Sequence, residues 1–323
     1  MKPFSLARPR ALAEALRLLG PGTTAMAGGT DLLGLMKAGV AGPQRIIDLT
    51  QVDGLRGWAR ERGKGVRIGA LTPLADLESS EELRRILPIV PQALADAATP
   101  QLRAMGTVGG NLLQRNRCWY YRDEAFDCWL KGGTRCFARE GEHRYHAVVG
   151  ARECIIVSPS DLAPALIACD ATVELRTTRG TREIACAELF VVPHGADRRE
   201  HAIRPGEVIV SVRVPEAALA RSGAFRKQMD RKAWSFALVS VAASARVKNG
   251  VARDVRVVLG GVAPVPWRAT AAEAALEGQA LDERACARAG ELALEDADPL
   301  PQNAYKVPLA RELVRRTLLS LGA

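Results

Sequence analysis

Several things are missing from this sequence, and each absence closes off a class of function. No apolar run approaches the roughly 18 residues of a membrane span. The first apolar stretch is broken by Glu14 and Arg17, so no signal peptide is expected. Without a secretion signal, the seven cysteines are not expected to form a disulfide framework. None of them forms a Cys-x2–4-Cys pair, the usual zinc spacing. No Gly-x-Gly-x-x-Gly is present, which disfavours a Rossmann site, and no Gly-Lys-Ser/Thr follows either glycine pair, which excludes a P-loop. No Ser/His/Asp or Cys/His nucleophilic set is evident. Like charges are not blocked together, so the net charge of +9 reads as a solvated basic surface suited to an acidic partner. A chain of 323 residues has room for about two domains.

What is present is punctuated by turns. A first helix is predicted from Pro9 to Leu19, with Pro9 in its first turn. A short strand, Thr24 to Ala27, meets the turn Gly28-Gly29-Thr30-Asp31, and a helix follows from Leu32 to Lys37. Strands are predicted at Arg45 to Leu49 and Val66 to Ile68, the latter after a hairpin turn at residues 62–65. Thr72 reads as an N-cap with Pro73 at the first helical position. Helices cover Glu81 to Leu87 and Val90 to Ala98. Past residue 154 come a strand at Ile155 to Val157, a helix at Leu162 to Ala168, a hairpin of Ala171 to Arg176 with Thr181 to Ile184, and a strand at Val208 to Val214. The pattern changes between Pro215 and Gly223, which sets expected domains of 1–218 and 219–323. The second opens on Ala237 to Val247 and Val251 to Leu259 around Lys248-Asn249-Gly250, a strong hairpin signal. Helices at Ala269 to Leu276, Asp282 to Ala293 and Leu309 to Leu319 complete a small α+β domain.

Two glycine pairs, Gly28-Gly29 and Gly109-Gly110, allow positive φ and close approach of backbone to a ligand. Turns of this kind gather backbone N–H groups into an anion site, so together they suit a pyrophosphate. Asp161, at a helix start, suits a polyol hydroxyl or plain capping. Cys118, Cys128, Cys136 and Cys154 fall in one segment, 116–154, which also holds three of the four tyrosines and two of the five tryptophans. The segment reads as a long loop ordered by a metal. Thiolates select zinc, copper(I) or iron–sulfur clusters. The gaps of nine, seven and seventeen residues leave iron–sulfur ligation and plain core thiols both open. Cys169, Cys186 and Cys286 read as buried reduced thiols. His143 and His146 read as solvent-facing, with either of them, His146 above all, an alternative fourth ligand to Cys154.

The combination of Met26-Ala27-Gly28-Gly29-Thr30-Asp31-Leu32, Gly106-Thr107-Val108-Gly109-Gly110-Asn111-Leu112, Ser158-Pro159-Ser160-Asp161-Leu162 and Gly260-Gly261-Val262-Ala263-Pro264 resembles the FAD-binding subunits of the molybdenum hydroxylases, the xanthine dehydrogenase family. The resemblance implies an α+β chain: an FAD-binding domain of the vanillyl-alcohol-oxidase (PCMH) type, then a CO-dehydrogenase flavoprotein C-terminal domain. It implies FAD held without a covalent bond by Ala27, Gly28, Gly29, Thr30, Asp31, Leu32, Thr107, Gly109, Gly110, Asn111, Ser160 and Asp161, with Lys227 near the flavin ring. The four histidines lie away from both glycine turns, as non-covalent attachment requires. The cysteine segment is similar to the insertion that carries a [4Fe–4S] cluster in the flavin subunits of 4-hydroxybenzoyl-CoA reductase and of a bacterial aldehyde oxidoreductase. Cys118, Cys128, Cys136 and Cys154 are then the ligands. Cys154 stands where the aldehyde oxidoreductase pattern puts the fourth. Tyr145 stands where the CoA reductase has its own.

The resemblance implies an electron-transfer subunit, with no catalytic residue of its own, that works with a large molybdenum-cofactor subunit, a small [2Fe–2S] subunit and an external electron acceptor. No nucleic acid and no membrane are expected as partners. Three other readings stay open at this point: the beta subunit of a 4-hydroxybenzoyl-CoA reductase-type enzyme, a self-contained flavin oxidase, and a zinc-bearing nucleic-acid module that leaves the glycine turns unexplained. By itself the chain is expected in the cytoplasm, or in a periplasm if a partner with an export signal carries it there.

Overall fold

The structure is a computed structural model that describes residues 1–232 and 234–322. Ala233 and Ala323, both within the second expected domain, lie outside the described residues. Three sheets organise the described residues. The first is parallel: Ser5–Ala7 and Thr23–Met26 flank Arg45–Asp48, with Leu6 and Thr24 both opposite Ile46. Parallel neighbours need crossover connections, supplied here by the helices Leu12–Leu18 and Leu32–Lys37. The second sheet is antiparallel, in the spatial order Trp58–Glu61, Gly65–Gly69, Val208–Val214, Thr172–Thr177, Gly180–Ala185. Its central strand, Val-Ile-Val-Ser-Val-Arg-Val, is buried along almost its whole length, as its near-continuous apolar run requires.

Short helices between residues 74 and 112 and the apolar helix Leu162–Ala168 cover this sheet around a core that includes Leu77, Val90, Leu94, Leu112 and Leu166. The third sheet is antiparallel, in the order Trp267–Arg268, Val251–Gly260, Val239–Lys248, Ser222–Gln228. Its long strands carry small residues, Ala242, Ala243, Ser244 and Ala245, all buried. That lets helices approach both faces. Leu162–Ala168 packs on one side, with Ala242 and Val258 in the first core. Thr270–Leu276 and Lys306–Leu319 pack on the other, with Glu283–Leu292 against those two helices, in a second core. The turn between the long strands has Asn249 at φ 53° and Gly250 at φ 77°, the two positive values a type I′ hairpin demands.

Most predicted elements are present, and the differences have local causes. The first helix begins at Leu12, not Pro9, after an extended Ala11. Pro73 itself flanks the helix Leu74–Glu78, because the Thr72 hydroxyl is drawn away to the Gly57 carbonyl at 2.9 Å. Residues 155–157 form no strand: Ala147 N–H donates to the Ile155 carbonyl and Ser158 N–H to Ala263, so this buried stretch is tied to loops. Ser222–Gln228 is a strand that the sequence did not predict, since it gains its ladder only from the distant Val239–Lys248. The last helix starts three residues early, at Lys306.

Candidate functional site

The first glycine turn behaves as its residue types require. Gly29 has φ +70°, which an L side chain resists. Gly28 sits so close to the Met105 carbonyl oxygen that a Cβ would overlap it, so its bareness serves the packing of the turn on the helix Pro100–Met105. The second pair is different. Gly109 and Gly110 lie inside a short helix, Val108–Leu112, and neither has positive φ. Thr107 caps that helix, accepting from Gly110 N at 3.2 Å. Gly109 is bare because Ala70 lies where its side chain would grow, 3.2 Å away. The expectation of two like turns is therefore corrected to one left-handed turn and one capped helix start.

Both pieces meet at a cavity of about 840 Å³. Thr30, Asp31, Gly110, Asn111, Ser160 and Asp161 line it, whereas Ala27, Gly28, Gly29, Leu32, Thr107, Gly109 and Lys227 do not. Ser160 links two predicted segments: its hydroxyl donates to Asn111 Oδ1 at 2.6 Å and accepts from Ala163 N at 3.0 Å. Ser160, not Asp161, thus caps the helix Leu162–Ala168. Asp161 instead accepts from Lys227 Nζ at 2.7 Å, and the same amine donates to the Asp96 carbonyl at 2.9 Å. The pair is buried, at 8% and 0% side-chain exposure. Burial raises the Asp161 carboxyl above its ordinary value, and Lys227 opposes that rise.

Asp31 is not a free cavity carboxylate. It accepts from Arg115 N at 2.8 Å and from the guanidinium groups of Arg117 at 2.7 Å and Arg122 at 2.6 Å. Arg117 lines the cavity, and burial lowers its pKa to about 10. Glu200, which sequence reasoning missed, accepts from Arg115 Nε at 2.5 Å, Asn116 N at 2.9 Å and Asn116 Nδ2 at 3.0 Å. No spacing rule would have found it, since it stands 84 residues from Asn116.

The four cysteines of the loop converge. Cys118, Cys128, Cys136 and Cys154 line one small void of about 10 Å³, among Tyr121, Trp129, Leu130 and Ile156. Among the described residues, no three His, Cys, Asp or Glu side chains draw together closely enough to hold a single ion. Cys154 donates to Cys136, which brings the Cys136 thiol down to about 6 and raises that of Cys154. Burial pushes Cys118 up to about 12. Cys169 and Cys186 are buried elsewhere with raised thiols, as is Cys286.

His143 and His146 are not solvent-facing. They are 5% and 3% exposed. The segment 302–306 grips this stretch: His143 N–H donates to Gln302 Oε1, Asn303 Nδ2 reaches the Ala147 carbonyl at 3.1 Å, and Lys306 Nζ binds the Tyr145 carbonyl at 2.8 Å. Lys306 also binds the Gly261 carbonyl at 2.7 Å and is fully buried, which lowers its pKa to about 7. His146 lines the main cavity rather than the cysteine void, so it does not stand as a fourth member of the cysteine group. Burial lowers its pKa to about 4, with Lys306 and His143 adding to the effect. Trp119, Tyr145, Trp234 and Phe236, all exposed, edge the same cavity and were also missed.

Residues 2–217 match the family model described as the FAD binding domain in molybdopterin dehydrogenase, and residues 224–321 match the CO dehydrogenase flavoprotein C-terminal domain. The chain belongs to this family of FAD-binding oxidoreductase subunits. It is 40% identical over 330 residues to the aldehyde oxidoreductase FAD-binding subunit PaoB of Escherichia coli (strain K12), covering 100% of this chain and 98% of the relative. It is 29% identical over 323 residues to the carbon monoxide dehydrogenase medium chain of Hydrogenophaga pseudoflava, covering 98% and 96%. Among solved structures, a carbon monoxide dehydrogenase from that organism superposes with a TM-score of 0.78 at 27% identity, over 99% of this chain and 98% of the other. The mixed α/β architecture described above is thus that of an FAD-binding domain followed by a CO dehydrogenase flavoprotein C-terminal domain, as expected.

The cavity suits FAD. Its volume lies in the upper part of the range for ligand pockets, roughly 300–1,000 Å³. Gly110 opens onto it without a side chain, and a buried acid–amine pair stands at its wall. Arg117 Nε and Ser240 Oγ, on two further cavity-lining residues, are buried without a protein partner.

Proposed function

We propose that this chain is the FAD- and [4Fe–4S]-carrying electron-transfer subunit of a heterotrimeric molybdenum-dependent oxidoreductase of the aldehyde oxidoreductase type. A large molybdenum-cofactor subunit and a small [2Fe–2S] subunit are its partners, and it relays electrons between them and an external acceptor. The observation that carries the reading is the pairing of the 840 Å³ cavity with a separate void lined by four cysteines in a chain 40% identical to an aldehyde oxidoreductase FAD-binding subunit.

When bound, FAD would supply the conversion between one- and two-electron transfer. The residues assigned to it are those of the first turn, 27–32, together with Thr107, Gly109, Gly110, Asn111, Ser160, Asp161 and Lys227. Gly28 and Gly29 shape the turn, Thr107 caps the helix Val108–Leu112, and Gly109 packs that helix against Ala70. Ser160 ties Asn111 to the helix Leu162–Ala168, and Lys227 orients Asp161. Four thiols around one void, Cys128 and Cys154 buried and Cys118 and Cys136 half-buried, with no carboxylate among them, are the donor set of an iron–sulfur cluster. The absence of any Cys-x2–4-Cys pair among these four favours a cluster over zinc.

The test is a visible spectrum with iron and acid-labile sulfide analysis of the chain purified without oxygen. Flavin bands with a broad shoulder, and about four irons per chain, are expected. Flavin alone would leave a simple flavoprotein; neither chromophore would reject the proposal.

A further inference from the structure

The two cavities share walls. Cys118 and Ile156 line both the large cavity and the cysteine void. Cys118 N–H donates to Asn116 Oδ1 at 3.0 Å, and Asn116 is held by Glu200 through two hydrogen bonds. Arg122 Nε binds the Asn116 carbonyl at 2.7 Å, while its Nη2 reaches Asp31. Asp31 closes the first glycine turn. One partly buried network therefore runs from that turn to the backbone of a cysteine through Asp31, Arg122 and Asn116, with Glu200 bracing Asn116 from the side.

We propose that Glu200 and Asp31 are positioning residues that make the cysteine centre and the large cavity one cooperative binding unit, so that filling either raises the affinity of the other. The inference rests on the reading of the cysteines as cluster ligands. Its physical basis is that a void of about 10 Å³ admits a group only by setting the positions of its own walls. Cys118 is one of those walls, and its position is passed to Asp31 through bonds that leave little slack. Glu200 is buried and Asp31, Arg115 and Arg122 are half-buried, so the members of the network shift together more readily than alone. Coupling of this kind is reciprocal and typically about 5–150-fold in affinity.

The experiment uses the full chain, purified without oxygen. The dissociation constant of FAD is measured by flavin fluorescence with the iron in place and after its removal by a chelator. The rate of iron loss to the same chelator is measured with and without FAD. The wild-type chain is expected to bind FAD about tenfold more weakly without iron, and to lose iron faster without FAD. Glu200→Gln and, separately, Asp31→Asn should bring the affinity ratio close to one while iron still binds. A ratio near one in the wild type overturns the proposal and leaves the cluster reading intact. A full ratio retained in both variants overturns it too. Iron absent from the wild-type chain from the start removes the cluster reading and the coupling with it. If one variant does not fold, the wild-type ratio and the other variant decide.

Discussion

Lys227→Met is the most telling single change. The amine is fully buried, 2.7 Å from Asp161 and 2.9 Å from the Asp96 carbonyl. Methionine keeps the length of the side chain and removes its charge, leaving a buried carboxylate without its cation. Breaking a buried pair in this way costs about 3–5 kcal/mol. Asp161 softens the loss by taking up a proton, because burial already raises its pKa, so about 3 kcal/mol is expected. For a cooperative unit of 150–250 residues that lowers the melting midpoint by about 6–12 °C. The pH dependence has a definite sign. From the ordinary value of 3.8 upward, the folded variant holds a proton that the unfolded chain has released. Its stability therefore falls as pH rises through that window, and its deficit against the wild type grows. The double change Lys227→Met with Asp161→Leu should recover part of the loss, since no charge is left buried. The assay is thermal unfolding by circular dichroism from pH 4 to pH 8. A drop of less than about 2 °C at pH 7, or a deficit independent of pH, would refute the reasoning.

Gly29→Val should cost flavin, because φ +70° is strained for a β-branched residue; full flavin content after purification would count against the placement of the first turn. Gly110→Val should also lose flavin, by filling the cavity wall rather than through φ, and the same measurement checks it. Ser substitutions at Cys118, Cys128, Cys136 and Cys154 should each lower iron content and destabilise the loop, whereas Cys169→Ser, Cys186→Ser and Cys286→Ser should keep their iron. Lys306→Met should flatten a slope in stability: between pH 7 and 10.5 the folded wild type has lost a proton that the unfolded chain retains. This stabilisation is therefore present at alkaline pH and is lost as pH falls towards 7, by about 5 kcal/mol at most. Urea titrations at pH 7 and pH 10 compare the two chains.

Local rules made much of this chain legible. Asn249-Gly250 specified its hairpin, because only residues tolerant of positive φ fit a type I′ turn. The Ser158-Pro159-Ser160-Asp161 start before the apolar Leu162–Ala168, and the apolar run of Val208–Val214, marked those elements. The cysteine island marked a centre whose four members do meet at one void. What sequence alone did not decide depends on groups brought together from far apart. Gly109-Gly110 reads as a turn in isolation, yet Thr107 caps a helix there and Ala70 crowds it. His143 and His146 look like solvent-facing residues until the segment 302–306 closes over them. Asp31 looks like a ligand-facing carboxylate, and three arginine residues from another loop claim it. Turn chemistry and periodicity act within a few residues, so the chain itself carries them. The fate of a charge or a donor is set by whichever partner folding places within about 3 Å, and for Glu200 that partner lies 84 residues away.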